Sequence, residues 1–153
     1  MSISEQNISN NKDTLDIVLD TNCLIQMISR RSPFYDLWQY FINGSYRLCV
    51  TNEIIDEYEE ILSAKTSPHI AKLVCEIILR APNTIKFDAH FRWNLIESDP
   101  DDNKFVDCSI VANARYIVTE DTHFNVLKNI AFPHIEVMNL DDFQDLMSLY
   151  TGN

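Results

Sequence analysis

The sequence predicts an α/β protein whose central parallel sheet is covered by helices on both faces. Three observations carry that prediction. Short apolar, β-branched runs alternate with longer segments whose apolar residues recur at helical spacing, the pattern of successive βαβ units. The runs are continuous rather than alternating, as in Ile17-Val18-Leu19 and Ile117-Val118, which suits strands buried on both sides. At 153 residues, 46% hydrophobic and 23% charged, the chain has the size and composition of one globular domain with one core.

The elements follow in order. Residues 1–14 are polar, Asn-rich and aperiodic, and read as a flexible leader before a domain over 15–150. Leu15 to Leu19 is the first strand. It runs into Asp20-Thr21-Asn22 and a helix through Ile28. Pro33 is placed to open a second helix, with Phe34, Leu37, Trp38 and Phe41 at helical spacing and Asn43-Gly44 ending it. Tyr46 to Val50 is strand two. Thr51 suits an N-cap for a helix over Asn52 to Ala64, and a further helix follows from Pro68 to Arg80. Thr84 to Phe87 reads as a third strand. Asp88 to Asp101 then reads as a loop anchored by Phe91, Trp93, Leu95 and Ile96. From Asp102 to Ala114 apolar residues surround the helix, as in one packed on two sides. Tyr116 to Thr119 is strand four, a short helix follows Asp121, and a last strand lies near Ile135 to Met138. In the final helix, Asp141 to Leu149, the residues Phe143, Leu146, Met147, Leu149 and Tyr150 suit docking on the core. The sheet therefore has about four to five strands.

Composition removes several classes of function. Two glycines leave no G-x-G-x-x-G dinucleotide turn and no phosphate-binding Walker loop. Cys23, Cys49, Cys75 and Cys108 are widely spaced among apolar neighbours, which favours buried, reduced thiols in a cytoplasmic protein over zinc ligation or disulfides. No apolar run reaches membrane-spanning length, and the N-terminal stretch lacks the charge and apolar pattern of a signal peptide. Twenty-three acidic against twelve basic residues give a net charge of -11, which repels nucleic acid at long range unless bound cations reverse the local field.

The acids themselves are informative. In an open parallel sheet, functional groups gather beyond the carboxyl ends of the strands. Asp20 directly follows the first strand and Asp121 closely follows the fourth, so both emerge at that edge. An acid there also complements a helix dipole, and capping is the competing explanation. On the helix after Thr51, only Glu57 and Glu59 border the buried stripe of Ile54, Ile55, Tyr58, Ile61 and Leu62, and periodicity does not choose between them. Asp99-Pro100-Asp101-Asp102-Asn103 precedes an unusually apolar helix, which any of its acids can cap. Carboxylates gathered in one place stay ionised only with a compensating cation, and hard oxygen donors select Mg²⁺ or Mn²⁺. Such ions support phosphodiester hydrolysis. The four histidines are scattered without an evident nucleophile, and His123, beside Asp121, reads as a surface residue.

Four segments in order, Val-Leu-Asp-Thr-Asn at 18–22, Thr-Asn-Glu-Ile-Ile-Asp-Glu-Tyr at 51–58, Asp-Pro-Asp-Asp-Asn-Lys-Phe at 99–105 and Ile-Val-Thr-Glu-Asp at 117–121, resemble the PIN-domain family. The likeness is greatest to the branch classed as toxins of bacterial toxin-antitoxin modules. It runs from about Asp16 to Leu140. The resemblance implies a three-layer, Rossmann-like α/β/α fold and a Mg²⁺- or Mn²⁺-dependent endoribonuclease. It selects Asp20, Glu57, Asp102 and Asp121 as catalytic metal ligands, preferring Glu57 to Glu59 and Asp102 to Asp101. Asn22 and Thr119 match flanking polar positions, and Asp99 matches an acidic position in a supporting or secondary-ligand role. Glu120 stands where a small residue is usual, as an added ligand or an obstruction to substrate. Lys65, Lys72, Lys104, Lys128, Arg30, Arg31, Arg92 and Arg115 are the candidates for phosphate contact. The resemblance further implies an RNA substrate, a small antitoxin partner and a tendency to homodimerise. Two other classes compete: a binding or scaffold protein that keeps the acids, and a metal-dependent phosphoesterase. The latter lacks its usual Asp-x-Asp motif, since Asp20-Thr21-Asn22 stands after strand one.

Overall fold

A computed structural model describes residues 15–151, so the leader expected over 1–14 lies outside the described residues. Five strands, β1 (Asp16–Leu19), β2 (Arg47–Val50), β3 (Thr84–Lys86), β4 (Tyr116–Val118) and β5 (Val137–Met138), form one parallel sheet in the order β3-β2-β1-β4-β5. Six α-helices connect and follow them: α1 (Thr21–Ile28), α2 (Tyr35–Ile42), α3 (Asn52–Lys65), α4 (Pro68–Arg80), α5 (Asn103–Ala112) and α6 (Leu140–Tyr150). Two 3₁₀ segments, Pro100–Asp102 and Thr122–Asn129, lead into α5 and out of β4.

The chain builds outward from β1 through β2 to β3. It then returns through α5 and lays β4 on the other side of β1. The reversal creates a crevice at the carboxyl edge between β1 and β4, where parallel α/β sheets place their sites. In β1 and β2 three successive residues are buried, Ile17-Val18-Leu19 and Leu48-Cys49-Val50, because helices cover both faces. The result is a three-layer α/β/α arrangement. α5 lies across β1, β2 and β4, while α3 packs against both α4 and α1. α2 meets α6 through an aromatic cluster in which Tyr46 packs against Phe41 at 5.9 Å and edge-on against Phe143 at 5.1 Å. The four cysteines are buried free thiols. No helix among the described residues is long and apolar enough to cross a membrane.

Three of the six α-helices start on a side-chain cap. Thr51, Ser67 and Asn139 accept from the amides of Ile54, Ile70 and Asp142, each a cap of about 1 kcal/mol. Asn113, at φ 51°, ends α5 in the left-handed conformation that asparagine tolerates. Gly44 at φ 80° follows α2, and only glycine takes that backbone freely.

Several expectations differ from the structure. Pro33 does not open α2, which begins at Tyr35; Ser32 Oγ accepts the Phe34 amide and holds the proline in a preceding turn. Phe91 is no anchor. It is 71% exposed and packs on Trp93, because polar side chains of α5 fasten this loop instead. Asn103 pairs with both the amide and the carbonyl of Ile96, each at 2.9 Å, and Asp107 accepts the Trp93 amide. Ile96 is the apolar residue those bonds bury. The last strand pairs over Val137–Met138 only, and in α6 Phe143 and Met147 reach the core while Leu149 stays 81% exposed.

Candidate active site

β1 delivers Asp20 to the carboxyl edge, and its amide continues the ladder by donating to Val118 of β4. Asp20 and Asp102 occupy helix N-cap positions, yet neither side chain makes a capping bond. Asp99, preceding the 3₁₀ segment, makes none either. The capping explanation therefore fails for three acids of a chain that caps α3, α4 and α6 with Thr, Ser and Asn. Asp121 does accept the His123 amide, at 2.9 Å.

These residues line one open crevice of about 300 Å³ with Thr21, Asn22, Glu57, Ile61, Lys65 and Asp101. Glu57 and Glu59 differ in position. Glu57 faces the crevice half-buried, whereas Glu59 is exposed. α3 is pinned at that point by the Tyr58 hydroxyl, which donates to the Leu19 carbonyl at 2.5 Å, so Glu57 and Asp20 are held by adjoining residues. Asp101 and Asp102 both reach the crevice. Asp102 is the more buried, and its Oδ2 has no hydrogen-bond partner.

Thr119 lies beneath the acids. Its hydroxyl donates to Asp20 Oδ2 at 2.8 Å and accepts the Asp121 amide at 3.0 Å, fixing the two strand-end carboxylates relative to each other. Asn22 is exposed at the rim, where its Oδ1 lies 3.4 Å from Lys65 Nζ. Glu120 makes a contact the sequence did not suggest. Its Oε1 accepts the Leu140 amide at 2.9 Å, and it lines a neighbouring cavity with Asp121, Lys128 and Asp142. It is not among the residues lining the acidic crevice.

Crowding shows in the ionisation of the acids. Burial pushes the Asp20 carboxyl up against the Thr119 hydrogen bond, with repulsion from Glu57 and Asp121 adding to the rise. Asp102 is pushed up to about 8, by burial first, then by its hydrogen bond with Asp121 and repulsion from Asp121, Asp99 and Asp20. For Asp121 burial acts upward, but hydrogen bonds from the His123 amide and the Asp102 carboxyl outweigh it and hold it below the ordinary value. Asp102 and Asp121 thus behave as a pair in which Asp102 keeps the proton.

A bound cation would relieve that crowding, and the donors fit one. Ligand atoms of Asp99, Asp102, Asp121 and His123 all lie within 4.8 Å of one another. A carboxylate-rich set with one imidazole suits Mn²⁺ or Mg²⁺ and lacks the thiolates typical of structural zinc. The group includes Asp102, whose Oδ2 has no hydrogen-bond partner, while Asp20 and Glu57 lie outside it.

A family model described as PIN domain matches residues 16–123. The chain belongs to the PIN-domain family. Among solved structures, this PIN domain is similar to a chain of VapBC2 from Rickettsia felis bound to a DNA fragment from their promoter, at 17% identity and TM-score 0.57, covering 82% of this chain and 98% of that one. It is also similar to a chain of DNA-bound VapBC from Salmonella typhimurium, at 18% identity and TM-score 0.55, with the same coverages. At these identities the likeness is one of fold. No curated protein matches the chain significantly in sequence.

The PIN-domain site also contains contacts that sequence reasoning missed. Thr21 donates its hydroxyl to Glu57 Oε2, and Lys104 Nζ lies 2.7 Å from Glu57 Oε1. His123 is exposed, as expected, but it is not isolated: its Nδ1 is 3.0 Å from Asp121 and 3.9 Å from Asp99. Its only sequence signal was its place two residues after Asp121. Of the proposed phosphate contacts, Lys65 lines the crevice and Lys104 is paired to Glu57. Arg92 pairs with Glu53, and Arg115 precedes β4 at the opposite edge.

Proposed function

We propose that this PIN domain is a Mg²⁺- or Mn²⁺-dependent endoribonuclease in which Asp20, Glu57, Asp102 and Asp121 form the catalytic site, with Asp102 and Asp121 holding the metal and Asp20 and Glu57 bordering it. The observation that carries this reading is Asp102. A buried carboxylate oxygen without a partner, beside Asp20 and Asp99, which cap no helix, is costly unless a cation completes it. When bound, the ion supplies charge stabilisation for the phosphate and lowers the pKa of a water. The chain's own part is positioning. Thr119 holds Asp20, Thr21 and Lys104 hold Glu57, and the His123 amide holds Asp121. Lys65, at the rim, provides a cation toward which an RNA phosphate can be drawn.

The likeness to VapBC chains supports extending the proposal to a toxin of a type II toxin-antitoxin pair, acting in the cytoplasm with a small antitoxin. The decisive experiment is cleavage of labelled single-stranded and structured RNA with Mn²⁺ or Mg²⁺, and with EDTA. Cleavage should require the metal and should vanish in Asp20→Asn with the fold intact by circular dichroism. Undiminished cleavage by that variant removes Asp20 from the mechanism.

A second reading, a partner-binding PIN fold, is favoured by the charge balance, since Lys104 is already committed to Glu57 and the net charge is -11. Wild-type protein that binds metal but cuts no RNA supports that reading instead.

A further inference from the structure

Lys104 breaks a local electrostatic rule. It lies in the first turn of α5, where free amides and the helix dipole favour an anion over a cation. Its ammonium is nonetheless held there, 2.7 Å from Glu57 Oε1, with both side chains only about one-fifth exposed, 19% and 20%. The arginines paired with Asp16, Glu53 and Glu136 are 42%, 63% and 60% exposed. Because Thr21 takes the other oxygen, both oxygens of Glu57 are engaged by donors from this chain. The opposite corner differs. There Asp99, Asp102, Asp121 and His123 converge, and Asp102 Oδ2 is buried without a partner.

We propose that Lys104 is a built-in cation that takes the place of a second divalent ion at Glu57, leaving one exchangeable ion position at the Asp99, Asp102 and Asp121 corner. The inference rests on the metal-dependent reading above and assigns Lys104 a positioning role in it. Two-metal sites hold their ions roughly 3.5–4 Å apart, each needing carboxylate oxygens of its own. An ammonium with its three donors at hydrogen-bond range from Oε1 occupies an oxygen that a second ion would need. It also supplies positive charge that no chelator removes. A lysine against the helix dipole is then explained by the carboxylate it serves.

The test is the number of Mn²⁺ ions bound by the full chain, counted by titration calorimetry and by the paramagnetic resonance signal of free Mn²⁺. Wild-type protein should bind one ion, lost in Asp102→Asn. Lys104→Met should bind two, and Lys104→Arg, which keeps the positive charge, should bind one. A wild-type count of two overturns the proposal whatever the variants do. A count of one in both wild type and a folded Lys104→Met, at equal affinity, overturns it while leaving the metal-dependent reading intact. No Mn²⁺ bound by either protein overturns both.

Discussion

β1 begins with one aspartate and is followed directly by another, and the two edges of the sheet treat them differently. At the amino edge Asp16 takes a two-pronged contact from Arg47 of β2, at 2.6 and 2.9 Å. Near it, Glu136 has Arg115 at 3.8 Å and His134 at 3.3 Å. At the carboxyl edge Asp20 accepts the Thr119 hydroxyl and lies close enough to Glu57 and Asp121 to be repelled by both. The same residue type is matched by a cation at one end of the strand and crowded by acids beyond the other. The Asp16 charge is balanced within the chain, whereas the acids gathered around Asp20 and Asp102 leave charge that an external cation would balance.

The largest expected effect breaks that contrast directly. Asp20→Asn should lower metal-dependent RNA cleavage at least ~100-fold, since even residues that only support metal ligands typically cost 10–100-fold. Asp16→Asn should leave cleavage within about twofold. Because the Arg47 side chain is 42% exposed, losing its pair should cost no more than ~1 kcal/mol in denaturant unfolding. Equal losses of cleavage in the two variants would show that the carboxyl edge has no special role.

How much of this was legible in the sequence depends on what each feature needs. Asp20 and Asp121 could be placed because a β-branched run followed by an acid defines a strand end within a few residues. Glu57 and Asp102 could not be separated from Glu59 and Asp101 by periodicity. That choice depends on how α3 is rotated against β1, which Tyr58 fixes through its bond to Leu19, and on how the loop before α5 is set, which Asn103 fixes through its bonds to Ile96. Lys104 and Thr21 were invisible as partners of Glu57 because they lie 47 and 36 residues away in the chain. Phe91 misled because apolarity was taken as burial in a loop that polar side chains fasten.

A smaller effect sharpens the contrast through pH. Asp102 has its carboxyl pushed up to about 8 from an ordinary 3.8, so the fold holds that proton more tightly than the unfolded chain does. Its contribution to stability is therefore complete below about pH 4 and is lost as pH rises through about 8. In EDTA, Asp102→Asn, which cannot ionise, should gain in melting temperature relative to wild type between pH 5 and pH 8. Mn²⁺ at pH 8 should reverse the order, because an ion takes the proton's place only in the wild type. A difference between the two proteins that stays constant with pH and metal would mean that Asp102 is not held protonated by its neighbours.

The smallest effect on cleavage belongs to Glu120, although it adjoins Asp121 in sequence. Its carboxylate accepts the first amide of α6, so it acts as a cap supplied from a distant loop rather than as part of the crevice. Glu120→Ala should lower stability by about 0.5–2 kcal/mol, the usual cost of losing a cap, while changing RNA cleavage less than twofold. Glu120→Gln keeps an acceptor oxygen and should recover most of the stability. If Glu120→Ala instead removes cleavage while the melting temperature holds, the acidic edge extends beyond Asp121, and the line drawn between structural and catalytic acids has to move one residue.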